Sequence, residues 1–191
     1  MPKSSTQSTP TASTVSSGAG QPAHSRVTTF GNRAVRVVRA VMIRRPASEL
    51  YAFFKSSENL SKNLSQSLSI SREDALTSRW SISLPGNQRA ESRIQIINDH
   101  PGELLAWSSL DESGISFAAT VRFEKAPGNE GTEVIVNIEY DPPRGNLAAT
   151  FERISGQEAG QQLGTALHRL KDAIESGRVP TSVSDQVGNP S

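Results

Sequence analysis

Cysteine is absent from the chain, so disulfides, thiol nucleophiles and thiolate metal ligands are excluded, and the redox compartment is left undetermined. Histidine is scarce as well. His24, His100 and His168 are scattered and have no cysteine beside them, a poor metal set, so no metal is expected. No apolar run approaches the ~18 residues needed to span a bilayer. A secretory signal needs an early basic region and then an apolar core of ~7–15 residues, whereas the polar SSTQSTPTAST follows Lys3. Neither GxGxxG, a Walker loop nor HExxH occurs, and no cofactor is expected.

Acidic residues are missing from one end. The formal net charge is +1, but residues 1–48 hold no Asp or Glu against Lys3, Arg26, Arg33, Arg36, Arg39, Arg44 and Arg45. The remainder carries thirteen positive and nineteen negative residues. An anionic membrane or a nucleic acid would attract such a segment. Solvated arginines along an exposed strand face and a free tail explain it more simply. The expectation is at most a weak anionic membrane contact through the basic N-terminal segment, with no nucleic-acid role. A transit peptide would be Arg-rich, and the first arginine comes only at Arg26. A cytoplasmic location, membrane-peripheral at most, is therefore expected.

What is present divides into three parts. Residues 1–34 are rich in Ser, Thr, Gly, Pro and Ala and read as a disordered tail, because they bury too little apolar surface to offset the entropy of ordering. Residues 179–191 read as a flexible C-terminal tail. Between them, 35–178 form one domain of ordinary size.

Within that domain Val35, Val37, Val41 and Ile43 alternate along a strand, interrupted by Arg39. Pro46 suits the first turn of a helix, and Leu50, Phe53 and Phe54 give that helix its stripe, with Tyr51 off it. A second short helix fits 58–66. Strands follow at roughly 67–73, 76–84, 88–97, 103–110, 115–125 and 132–140, separated by turns such as Pro85-Gly86-Asn87 and Asp99-His100-Pro101-Gly102. Such short links imply an antiparallel meander. A final helix carries Leu147, Phe151 and Ile154, then Leu163, Leu167, Leu170 and Ile174, and ends at Gly177. The fold class is α+β: a curved antiparallel sheet of about seven strands wrapped around a long C-terminal helix, with two short helices after strand one.

Period-two alternation assigns the faces. Leu68 and Ile70; Leu76, Ser78, Trp80, Ile82 and Leu84; Ala90, Ser92, Ile94 and Ile96; Leu105, Trp107 and Ser109; Phe117, Ala119, Val121 and Phe123; and Val134, Val136, Ile138 and Tyr140 point inward. Arg79, Glu91, Arg93, Arg122, Glu124, Glu133 and Glu139 point outward.

Several strings, RRPASELYAFF at 44–54, LTSRWSI at 76–82, LLAWSS at 104–109, VRFEKAPGNEGTEVIV at 121–136, YDPPRGNL at 140–147 and LHRLKDAIESGRVP at 167–180, resemble the polyketide cyclase/dehydrase-like superfamily, SRPBCC. That superfamily includes START, coenzyme-Q-binding START-like and birch-pollen-allergen-like proteins. The resemblance spans nearly the whole domain. It implies a helix-grip fold with a hydrophobic cavity between the sheet and the C-terminal helix. It does not fix activity, since the superfamily holds enzymes, carriers and sensors.

Catalysis of the cyclase or dehydratase type needs an acid and a base facing the substrate. The inward set has no His, Asp, Glu or Lys, and its polar groups are Ser78, Ser92, Ser109, the indoles of Trp80 and Trp107, and Tyr140. No catalytic residue is assigned. The candidate ligand-binding residues are Trp80, Trp107, Tyr140, Phe117, Phe151, Ser78 and Ser92, although each aromatic is equally explained as core packing. The favoured reading is non-enzymatic binding or transport of a hydrophobic small molecule such as a lipid, an isoprenoid or quinone, or a polyketide-like compound. The alternative is a cyclase/dehydratase-type enzyme acting on a polyketide-like substrate.

Overall fold

The computed structural model describes residues 34–84, 86–110, 115–141 and 156–179. The expected N-terminal tail up to residue 33, most of the C-terminal one, and the segment that includes Phe151 lie outside the described residues.

Strand β1 (Val35–Ile43) alternates as its β-branched residues require: Val37, Val41 and Ile43 are buried while Arg36, Val38 and Met42 face out. Pro46 keeps an extended backbone and sits just before helix α1 (Ala47–Lys55) rather than inside its first turn. Its carbonyl accepts from the N–H groups of Glu49, at 3.1 Å, and Leu50, at 3.2 Å, and so opens the helix. Helix α2 (Ser57–Asn63) follows across Ser56, whose Oγ accepts from the Asn59 N–H at 3.3 Å.

Six strands then run as a meander: β2 (Leu68–Arg72), β3 (Thr77–Leu84), β4 (Gln88–His100), β5 (Leu104–Ser109), β6 (Phe117–Lys125) and β7 (Thr132–Tyr140). All pairs are antiparallel, and the seven strands form one sheet in the order β1-β7-β6-β5-β4-β3-β2. Each short turn lays a strand beside its predecessor. The α1–α2 excursion alone carries the chain from one edge of the sheet to the other, so the first strand ends beside the last. Between β6 and β7 the chain turns at Gly131, whose φ is +134°. A Cβ there would lie 2.8 Å from Arg44 Cα and closer still to the Ile43 carbonyl oxygen, so only glycine fits.

Helix α3 (Gly156–Glu175) lies against β1. Its expected stripe does the packing: Leu167, Leu170 and Ile174 are fully buried together with Ile43, Leu50, Phe53, Leu105 and Val134, and Leu163 flanks them. The helix end is pinned to the end of β1. The Arg44 N–H donates to Glu175 Oε1 at 2.8 Å, and Arg45 Nη2 donates to the Ile174 carbonyl at 3.2 Å. Gly177, at φ +72°, ends the helix as expected, with the Arg178 N–H donating to the Ala173 carbonyl at 3.0 Å. Val179, expected to begin a tail, also packs on the core.

The arginines of β1 and its end have structural work as well. Arg36 pairs with Glu139 at 2.9 Å, and Arg45 binds the helix end. The residues assigned inward from the alternation are buried or half-buried on every strand, with one exception. Leu76 precedes β3 and is 47% exposed.

Candidate functional site

The two halves of the inward face are covered unequally. The long helix α3 and its apolar stripe close off the β1 side. On the other side stand α1 and α2, and Leu60 is the one buried side chain of α2. Seven residues with one apolar anchor cannot fill the space over the strands there. A cavity of about 700 Å³ remains, within the range of small-molecule sites. Its floor is Leu60, Ile70, Trp80, Ile96 and Trp107, and its mouth is edged by Arg72, Asp74 and Leu76.

Three of the residues singled out from the sequence meet here: Ser78, Trp80 and Trp107. Trp80 Nε1 donates to Ser78 Oγ at 2.9 Å, which satisfies the indole and fixes the ring on the wall. Trp107 is buried, and it pairs across the sheet with Ile96. Phe117 does not reach the cavity. It stands behind Trp80, with ring centroids 5.5 Å apart, and braces it.

Ser92 and Tyr140 lie elsewhere. Ser92 Oγ donates to the Ile115 carbonyl at 3.1 Å and accepts from the Ile115 N–H at 2.9 Å, so it clamps the backbone entering β6. Tyr140 packs in a smaller cluster with Leu84, Ala90 and Ile115. Burial pushes its hydroxyl above the ordinary tyrosine range. Among the described residues no side chain of α3 lines the cavity. This space thus sits between the short helices and the sheet, a place that the sequence reading did not anticipate.

The wall also holds a polar cluster that alternation did not reveal. The sequence placed Asp99 in a turn, but β4 continues to His100. Ile96 pairs with Trp107 and Asn98 with Ala106, which leaves Ile97 as an extra, bulged residue. The bulge reverses the parity of the strand. Asp99 therefore faces inward opposite Leu105, and Ile97 is exposed.

Asp99 is met by Tyr51 and Lys55, four apart on α1. The Tyr51 hydroxyl donates to Asp99 Oδ1, and Lys55 Nζ donates to Asp99 Oδ2 at 2.8 Å and to the Tyr51 oxygen at 3.0 Å. Tyr51 and Lys55 both line the cavity. The Lys55 and Tyr51 hydrogen bonds hold the Asp99 carboxyl below its usual range. The Asp99 bond, and then that to Tyr51, holds the Lys55 ammonium above its own. Burial first, and then Asp99, raises the Tyr51 hydroxyl.

No protein-family model matches the chain, and no curated protein does. Among solved structures, DR_A0006 from Deinococcus radiodurans is 31% identical, with a TM-score of 0.61 over 74% of this chain and 98% of its own. TTHA0849 from Thermus thermophilus is 19% identical, with a TM-score of 0.57 over 76% of this chain and 99% of its own. The di-domain ARO/CYC StfQ from the steffimycin biosynthetic pathway shares the fold at 12% identity, with a TM-score of 0.52 over 76% of this chain and 51% of that one. The chain shares the helix-grip fold of these structures, and DR_A0006 is related to it over nearly the whole of that chain.

In this helix-grip chain, the inward residues missed from sequence are Tyr51, Lys55 and Asp99. One signal was visible. Tyr51 falls off the α1 stripe in the sequence, and the structure buries it, so that its hydroxyl needs a polar partner. Two of the histidines, His100 and His168, are exposed as read, and His24 lies outside the described residues.

Proposed function

We propose that the protein binds a largely apolar small molecule, such as a lipid, quinone or polyketide-like ring compound, and carries it without transforming it. The observation that supports this best is the cavity of about 700 Å³ with a floor of aliphatic and indole side chains. An apolar floor of this kind favours ligands with few polar atoms at that end, fixed by one or two hydrogen bonds. Multiply charged ligands are disfavoured, since burying an unpaired charge is costly.

The polar cluster on the wall supports binding over turnover. A general acid or base works best when its pKa lies near the operating pH. Here Asp99 is pushed down, while Lys55 and Tyr51 are pushed up, so each is held more firmly in its resting protonation state near neutral pH. The likeness to StfQ at 12% identity extends to the fold and not to its chemistry.

Both tryptophans of the chain line the cavity, so intrinsic fluorescence reports its occupancy directly. Titration with a fatty acid or a quinone should shift or quench the emission, and titration with a nucleotide should not. Native mass spectrometry of gently purified protein, followed by organic extraction, identifies what is carried. Tight nucleotide binding without any lipid response, or turnover of a polyketide-like substrate, would overturn the proposal.

A further inference from the structure

We infer that the carried molecule is an amphiphile with a single anionic head, and that Arg72 at the cavity mouth recognises that head. The inference rests on the apolar-ligand reading above and adds the head group to it.

The charges on the wall are mostly compensated from within. Lys55 pairs with Asp99 at 2.8 Å, and Lys62 pairs with Glu58 at 2.6 Å. The Asp74 carboxylate accepts from the N–H groups of Leu76 and Thr77, both at 2.8 Å. Arg72 differs from these. Leu68, Ile70 and Arg72 occupy alternate positions of β2 and share the inward face, so the guanidinium stands where the apolar row opens to solvent.

Its sequence neighbour Glu73 is engaged on the other face, by Arg79 at 2.7 Å and Arg93 at 2.9 Å. Among the described residues no carboxylate comes within ion-pair reach of Arg72. Arg72 Nε donates to the Asp74 carbonyl at 2.8 Å. That bond anchors the guanidinium and leaves its terminal nitrogens for an incoming carboxylate, which an arginine fork can hold with two parallel hydrogen bonds. A tail laid on Ile70 and Trp80 would place its head at this point.

The test is a fluorescence titration of the full chain with decanoate and with decan-1-ol, both below their aggregation limits. These probes share a tail and differ in the head. Wild type, Arg72→Gln and Arg122→Gln are compared; the last removes an equal charge from the outer face. Arg72→Gln should weaken decanoate roughly fivefold and alter decan-1-ol less than twofold, while Arg122→Gln alters neither. Independently, raising salt from about 50 to about 500 mM should weaken decanoate but not decan-1-ol in wild type. Unchanged decanoate affinity in Arg72→Gln, or equal loss for both probes, overturns the anionic head while the apolar-ligand reading stands. Silence of wild-type fluorescence toward both probes overturns that reading itself. Thermal unfolding of Arg72→Gln checks that the variant keeps its fold, and the salt series tests the idea without any variant.

Discussion

The two halves of the sheet carry the same alternation and meet different fates. Under α3 and the Leu50–Phe54 side of α1, the inward residues of β1, β7 and β6 are mostly buried in one core with Leu167, Leu170 and Ile174. Under α1 and α2, Ile70, Trp80 and Ile96 of β2, β3 and β4 are only partly covered and look into a cavity. The apolar pattern thus states which way a face points. Whether that face is filled depends on the partner laid over it. A twenty-residue helix with a continuous stripe fills its side, and a seven-residue helix with one buried leucine does not.

The contrast breaks most visibly in the packed half. Leu170→Ala should destabilise the domain by about 3–5 kcal/mol, since Leu170 is fully enclosed and its neighbours cannot collapse into the gap. Trp80→Ala, in the open half, should cost roughly half as much despite the larger side chain, because Trp80 is only partly buried and already borders empty space. Its effect on ligand affinity should exceed that of Leu170→Ala. Urea denaturation of both variants, with and without an apolar ligand, measures the difference. Equal stability losses would mean that the two halves are packed alike.

A smaller effect sharpens the comparison through pH. Asp99 is held ionised by Lys55 and Tyr51, so its folded-state pKa is below the unfolded one. The stability it contributes is present above the unfolded value, about 3.9, and is lost as pH falls through the folded value. Asp99→Asn should therefore cost up to about 1 kcal/mol near neutral pH, and the gap from wild type should close below about pH 4. Chemical denaturation across pH 3–7 follows this. A gap that widens in acid would refute the assigned sign.

The smallest effect belongs to α3. A Cβ at Gly160 would lie 2.9 Å from Cζ of Arg39, the far end of a flexible side chain that can swing aside. Gly160→Ala should be neutral or stabilise by up to about 1 kcal/mol through helix propensity. A thermal melt showing a large loss would mean that Arg39 is fixed in place. Arg39 itself interrupted the inward alternation of β1 in the sequence, and the structure seats it against Gly160 and Gly164 of the helix.

The order of elements and the inward faces were legible because period two and period 3.6 are local properties. The positions of Ser78, Trp80 and Trp107 on one wall followed from that alternation. The roles of Ser92 and Tyr140 did not, because whether an inward side chain meets a cavity or a backbone clamp depends on residues far along the chain. The Asp99 cluster was hidden for a different reason. In Gln95-Ile96-Ile97-Asn98 two isoleucines stand side by side, and either can take the inward place. Only pairing with Trp107 and Ala106 decides between them.

The extra residue at Ile97 works as a frameshift in a two-letter code. Upstream of it the strand spells out an apolar wall, and downstream the same reading rule turns Asp99 inward, toward Tyr51 and Lys55, and its neighbours outward. Insertion or removal of one residue here would exchange Asp99 for a neighbour while leaving the strands beyond β4 and β5 in phase. The polar partner offered to Tyr51 and Lys55 beside the cavity can therefore be rewritten by length alone, separately from the composition that holds the core together.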